Sequence, residues 1–192
     1  MSFHENWFSD DQARFLSVLG HLAKPLAGAV LEFGSWEGKS TCSLANSVFP
    51  DPVIAVDTWL GNLDEAPDHA TVQILRERDV HRVFLDNVAT LTQGNVEPVK
   101  QDCHLFMSGF RESIKFCHID ACHDYPSVKS SIEAVVPLLV PGGIVCGDDF
   151  LHANLSSEAL QGGVERAVRE CLPGFKTRGN LWYWVKAHKS SA

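Results

Sequence analysis

Three aspartates stand where two strands read as ending: Asp120 in IKFCHIDACHDY, and the adjacent Asp148 and Asp149 in GGIVCGDDF. Each follows a run of apolar and β-branched residues of the kind that forms a buried strand. Two neighbouring strands would then bring three carboxylates to one edge of a sheet, where they repel one another unless a cation lies between them. Oxygen ligands of this sort suit a hard divalent ion, Mg²⁺ or Ca²⁺, with Mn²⁺ close behind. An ordinary acidic rim is the competing reading, and His123, three residues after Asp120, weighs against it. That histidine has two readings of its own: a proton acceptor with an ordinary pKa of about 6.5, or the start of a helix.

A second candidate lies nearer the N-terminus. In LEFGSWEGKS an acid, Glu32, precedes a turn punctuated by Gly34 and Gly38 that leads into a helix. Gly34 would let a ligand approach the backbone, and a helix start offers free N–H groups to an anion. The spacing is neither GxGxxG nor GxxxxGK[ST], which disfavours a dinucleotide or a nucleoside triphosphate. Asp57 ends the next strand, where an acid can accept from both hydroxyls of a ribose. A tight turn followed by an exposed strand-end acid remains the bland alternative.

The elements that position these residues alternate. Ser9 and Gln12 are spaced as a capping box before an amphipathic helix with the stripe Phe15, Leu16, Leu19, Leu22 and Ala23, stopped near Pro25. Strands are expected at AVLEFG, PVIAVDTW, VEPVKQ, IKFCHID and GGIVCGDD. Helices are expected from Glu37 to Ser47, from Pro126 to Leu139 with Pro137 bending its last turn, and from Glu158 to Cys171. FKT and LWYWVKA suggest an antiparallel hairpin around Arg178, Gly179 and Asn180. Strands that alternate with helices imply a parallel sheet covered on both faces, with ligands at the carboxyl ends of the strands. The long stretch 60–93 is the natural place for a lid or insert, with a helix near Val80 to Val88.

The 192 residues suit a single domain, 1–192, with residues 1–27 as an N-terminal helical segment. The net charge of −8 argues against nucleic acid as a partner, and no apolar run is long enough for a membrane span. The opening MSFHENWFSDDQ lacks the flank and core of a signal peptide, so a cytoplasmic location is expected. Six cysteines without a CxxC pair read as reduced. Cys117, His118, Cys122 and His123 are zinc-type ligands, but strand alternation sends the first two to opposite faces. His104 and His118 read as structural, His152 as a loop residue, and Trp182 and Trp184 as packing for the last strand.

Taken in order, these motifs resemble the class I S-adenosylmethionine (SAM)-dependent methyltransferases, and among them the small metal-dependent O-methyltransferases of the TylF-like branch. Glu32, Gly34, Gly38 and Ser40 match the pattern E-x-G-x-x-x-G-x-S. Trp36 stands where many such enzymes carry a further glycine, and a shorter N-terminal region is expected than the one through which many relatives dimerise and cover substrate. The resemblance implies a Rossmann-like α/β fold with a mostly parallel seven-stranded sheet and a C-terminal antiparallel hairpin. It also implies a SAM site made of Glu32, Gly34, Ser35, Trp36, Gly38, Ser40, Asp57, Thr58, Trp59, Asp102, Cys103 and Asp120, in which Asp102 meets the adenine amino group. Trp59 would either stack on adenine or close a lid. A divalent cation, Mg²⁺ or else Mn²⁺ or Ca²⁺, would sit on Asp120, Asp148 and Asp149. His123 holds the place of the family's catalytic base, beside Asp120. The expected reaction is O-methylation of a sugar or another small polyhydroxylated acceptor, with a homodimer possible. A metal-independent methyltransferase and a noncatalytic binding protein on the same scaffold are the alternatives.

Overall fold

A computed structural model describes residues 3–61, 70–151 and 162–188. Seven strands form one sheet in the order β3-β2-β1-β4-β5-β7-β6. The five parallel strands are β1 (Ala29–Phe33), β2 (Val53–Asp57), β3 (Val96–Lys100), β4 (Ile114–Ile119) and β5 (Leu139–Gly147). The hairpin β6 (Lys176–Arg178) and β7 (Leu181–Val185) runs antiparallel to β5, as the sequence suggests. β4, at the centre, is buried at all six residues because helices cover both faces of the sheet.

Alternation along the strands sorts the core into two layers. Leu31, Phe33, Cys117, Ile119 and Val145 face α6 (Tyr125–Val135) and α7 (Gly163–Cys171). Val30, Val53, Phe116, Ile144 and Cys146 face α1 (Asp10–Ala23) and α2 (Lys39–Val48). The capping box forms as expected, with Ser9 and Gln12 bonded reciprocally at the start of α1. The apolar stripe is narrower than its sequence implies: Leu16, Leu19 and Ala23 are buried, whereas Leu22 is 63% exposed. Contact with α2 is centred on Gly20, where an added Cβ would come within 2.1 Å of Ser47 Oγ, and this close approach leaves Leu22 on the outer flank.

Asp124 caps α6, and the helix ends at Val135 rather than Leu139, because Pro137 turns residues Val136–Leu138 into a 3₁₀ segment. Two helices, α3 (Ala70–Glu77) and α4 (Val80–Leu91), lie between β2 and β3, with α5 (Cys103–Gly109) after β3. α4 buries Val80, Phe84 and Val88 in a third cluster around Trp59, so this part of the expected lid is a packed crossover helix. All six cysteines are free thiols. Residues 62–69 and His152 lie outside the described residues.

Candidate active site

The turn after β1 is fixed by Asp57. One carboxylate oxygen, Oδ2, accepts from the backbone N–H groups of Ser35 and Trp36, each at 2.8 Å, and Oδ1 accepts from Trp59 N–H at 2.7 Å. A carboxylate offers about four acceptor positions, and three are taken by the chain itself. Burial pushes this carboxyl above its ordinary value, and the three N–H donors pull it back in part. Gly34 has φ 81°, and a Cβ there would lie 2.0 Å from the Asp120 carbonyl oxygen. The close approach that requires glycine is therefore that of the β4 end, not of a ligand. Trp36 adopts φ 45°, a left-handed conformation that explains why glycine would be at home in its place.

Glu32 stands behind this turn. It is fully buried, accepts from Thr41 Oγ1, and pairs with His118 Nδ1 at 3.1 Å. Gly38 is the left-handed N-cap of α2. The Trp59 ring is 3% exposed and packs against His81 and Phe84. None of the three lines the cavity described next.

That cavity has a volume of about 750 Å³ and opens at the carboxyl ends of the strands. Gly34, Ser35, Trp36, Ser40, Asp57 and Thr58 line one end, with Asp102 and Cys103 beyond β3. Asp102 caps α5 by accepting from Leu105 N–H at 2.9 Å, and burial pushes the Cys103 thiol up to about 11. Ser35 Oγ is buried in this wall without a hydrogen-bond partner.

Asp120, His123, Asp148 and Asp149 line the other end. β4 and β5 pair in register up to Ile119 and Gly147, which sets Asp120 beside Asp148. Asp149 takes a left-handed φ of 59° and turns its carboxylate to His123 Nε2 at 2.8 Å. Ligand atoms of Asp120, His123 and Asp149 all lie within 4.8 Å of one another. Asp148 is not in this set, although the sequence placed it with Asp120 and Asp149: its Oδ2 accepts from Gln12 Nε2 at 2.5 Å, and its Oδ1 is buried with no partner. Burial, and then the neighbouring Asp148 and Asp149, push the Asp120 carboxyl well above the usual range. Burial, and then Asp149, push Asp148 up to about 6. The zinc-type group of Cys117, His118, Cys122 and His123 does not converge, and burial pushes the Cys122 thiol up to about 12.

A segment not foreseen from the sequence forms one wall of the cavity. Phe3, Glu5, Trp7 and Phe8 line it from the N-terminal side. His4 bonds to Glu37 through both its backbone N–H (2.7 Å) and its ring (3.0 Å), Glu5 pairs with Arg78, and Asn6 accepts from Lys39 at 2.8 Å. Trp7 packs on Trp36 with ring centroids 5.6 Å apart. Three aromatic residues in the six-residue stretch FHENWF ahead of a capping box were the available signal.

Similar molecules have been solved. The fold matches a putative O-methyltransferase from Klebsiella pneumoniae (18% identity, TM-score 0.68, covering 97% of this chain and 84% of that one). It matches the cofactor-bound Rv0187 protein from MTB (19%, TM-score 0.66, 94% and 82%). It also matches the O-methyltransferase TomG from Streptomyces achromogenes, solved in complex with SAM (18%, TM-score 0.65, 96% and 84%). No curated protein matches the chain in sequence. The family model described as "Methyltransferase domain" matches residues 31–150, a stretch that runs from the first strand through both acid-bearing strand ends, and the chain therefore belongs to that family, built on the class I SAM-dependent methyltransferase fold.

Proposed function

We propose that the protein is an O-methyltransferase that transfers the methyl group of SAM to a hydroxyl of a neutral polyhydroxylated acceptor, assisted by a divalent cation at Asp120 and Asp149. The observation that carries this reading is the convergence of Asp120, His123 and Asp149 within 4.8 Å at one end of a cavity whose other end is the family's first motif. At about 750 Å³ the cavity has the size of a small-molecule site.

The residues present fit both groups. Ser35 Oγ and the fourth acceptor position of Asp57 await a polar ligand at the cofactor end. Asp57 has room for one ribose hydroxyl, not two. At the other end, the carboxylates of Asp120 and Asp149 converge beside His123 and offer oxygen donors to a hard cation. Such a cation, when bound, lowers the proton affinity of an acceptor oxygen. Asp149 orients His123, which takes the proton from the acceptor hydroxyl. Trp7 and Phe8 present apolar rings to the cavity from the N-terminal side. Among the described residues, eight carboxylates and one lysine, Lys39, line the cavity, so an acceptor bearing phosphate or carboxylate would be repelled.

A metal-independent reading is favoured by one contact, the His123–Asp149 pair, which can orient a hydroxyl by itself. Methyl transfer from labelled SAM to a panel of neutral polyols, before and after exhaustive EDTA treatment, separates the two. Activity that vanishes and returns with Mg²⁺ supports the cation, and full activity without it supports direct orientation by the acids. In either case His123→Ala should lose roughly 10²-fold in rate with SAM affinity kept. Near-normal turnover would remove His123 from catalysis.

A further inference from the structure

We propose that Gln12 is a positioning residue of the acid end: its side-chain amide grips one oxygen of Asp148 and keeps the other turned toward a divalent cation in the cavity. The inference rests on the cation-assisted reading above.

Gln12 does two things at once. Its Oε1 accepts from Ser9 N–H at 2.7 Å and its backbone N–H donates to Ser9 Oγ at 3.2 Å, which completes the capping box of α1. Glutamate fills that place in a capping box as well as glutamine does. Only glutamine has a donor left over, and here Nε2 donates it to Asp148 Oδ2 at 2.5 Å, across 136 residues of sequence. The local motif accepts either residue, whereas the distant contact accepts one.

The far end of the contact is built for a ligand. Asp148 is 7% exposed, lines the cavity, and leaves Oδ1 buried without a partner. A buried acceptor without a donor is unfavourable, and a cation beside Asp120 and Asp149 would relieve it. The amide comes from the first turn of a helix locked onto the core by Leu16, Leu19 and Ala23, so it is presented by a rigid element. Without the amide the Asp148 carboxylate is free to rotate, and its charge is no longer aimed.

Two variants separate capping from positioning. Ser9→Ala weakens the box and keeps the amide on Asp148, while Gln12→Met loses both. Mn²⁺ is titrated against each protein, and the free ion is followed by its electron paramagnetic resonance signal, with thermal unfolding measured alongside. Both variants should unfold at similarly lowered temperatures. Ser9→Ala should bind Mn²⁺ within about twofold of the unmodified protein, and Gln12→Met roughly tenfold more weakly, the low end for a residue that orients a metal site. In an Asp148→Asn background, Gln12→Met should have no further effect, because its influence runs through that carboxylate. Equal Mn²⁺ affinity in the two single variants, or additive losses in the double variant, would overturn the positioning role alone. An unmodified protein that binds no Mn²⁺ would overturn it together with the cation-assisted reading.

Discussion

The two ends of the cavity use the same side chain to opposite effect. At the β1 and β2 end, the acids are satisfied by the protein: Asp57 accepts from three backbone N–H groups, and Glu32 is bonded to Thr41 and His118. At the β4 and β5 end, Asp120, Asp148 and Asp149 crowd together, with Asp148 Oδ1 unpartnered and two of the carboxyls pushed upward by burial and by a neighbouring carboxylate. The first set holds a turn in place. The second is complete only when something positive, or a proton, joins it. Strain concentrates at these ends as well: Trp36, Trp59 and Asp149, the non-glycine residues with positive φ among those described, each follow a strand that feeds the cavity.

Neutralising an acid should therefore have opposite consequences at the two ends. Asp120→Asn should lower turnover about 10³-fold, roughly 4 kcal/mol of transition-state stabilisation, while raising the unfolding midpoint of the metal-free protein, since it removes repulsion. An unchanged or lowered midpoint would mean that the acid end is already relaxed. Asp57→Ala should do the reverse to stability. It strands three partly buried backbone N–H groups, at roughly 1 kcal/mol each, so unfolding in urea should shift by up to about 3 kcal/mol, with weaker SAM binding in the protein that stays folded. A variant of normal stability that merely binds SAM less well would make Asp57 a pure ligand residue and erase the contrast.

How far the sequence could be read follows the same division. Strand order, the hairpin and the helices around the sheet follow from hydrophobic period and from proline and glycine placement, which are local properties. The acid-bearing strand ends were equally legible, because a polar residue closing a buried apolar run stands out. What an acid touches is not local. Glu32, Asp57 and Asp120 look alike on the page, and only the fold shows that Glu32 meets His118 on the neighbouring strand while Asp57 meets the turn after β1. Gly34 was legible as a glycine that something must approach, but not that the something is Asp120's own carbonyl. The contacts of the N-terminal residues were hidden for the same reason, since His4–Glu37 and Gln12–Asp148 join residues 33 and 136 positions apart.

The smallest of the expected effects is also the most direct measure of the contrast. Asp148 has a folded-state value of about 6, against about 3.9 in an unfolded chain. Between those values the native protein binds more protons than the unfolded one, so stability falls as pH rises. The contribution of a protonated Asp148 is fully present below about pH 4 and is lost once pH passes about 6. Asp120, raised for the same causes, acts in the same direction. Asparagine at position 148 does not titrate, so the stability of Asp148→Asn minus that of the unmodified protein isolates this carboxyl from all others. Measured by urea unfolding without metal, the difference should grow by roughly 2 kcal/mol between pH 4 and pH 7.5. Saturating Mg²⁺ at pH 7.5 should shrink it again, because an ion bound only by the native state stabilises it by mass action and needs the ionised carboxylates. At pH 4, where the site is protonated, Mg²⁺ should change little. A difference that stays flat with pH would show that the Asp148 carboxyl is unperturbed by its crowded surroundings, and would remove the contrast drawn for this end of the cavity.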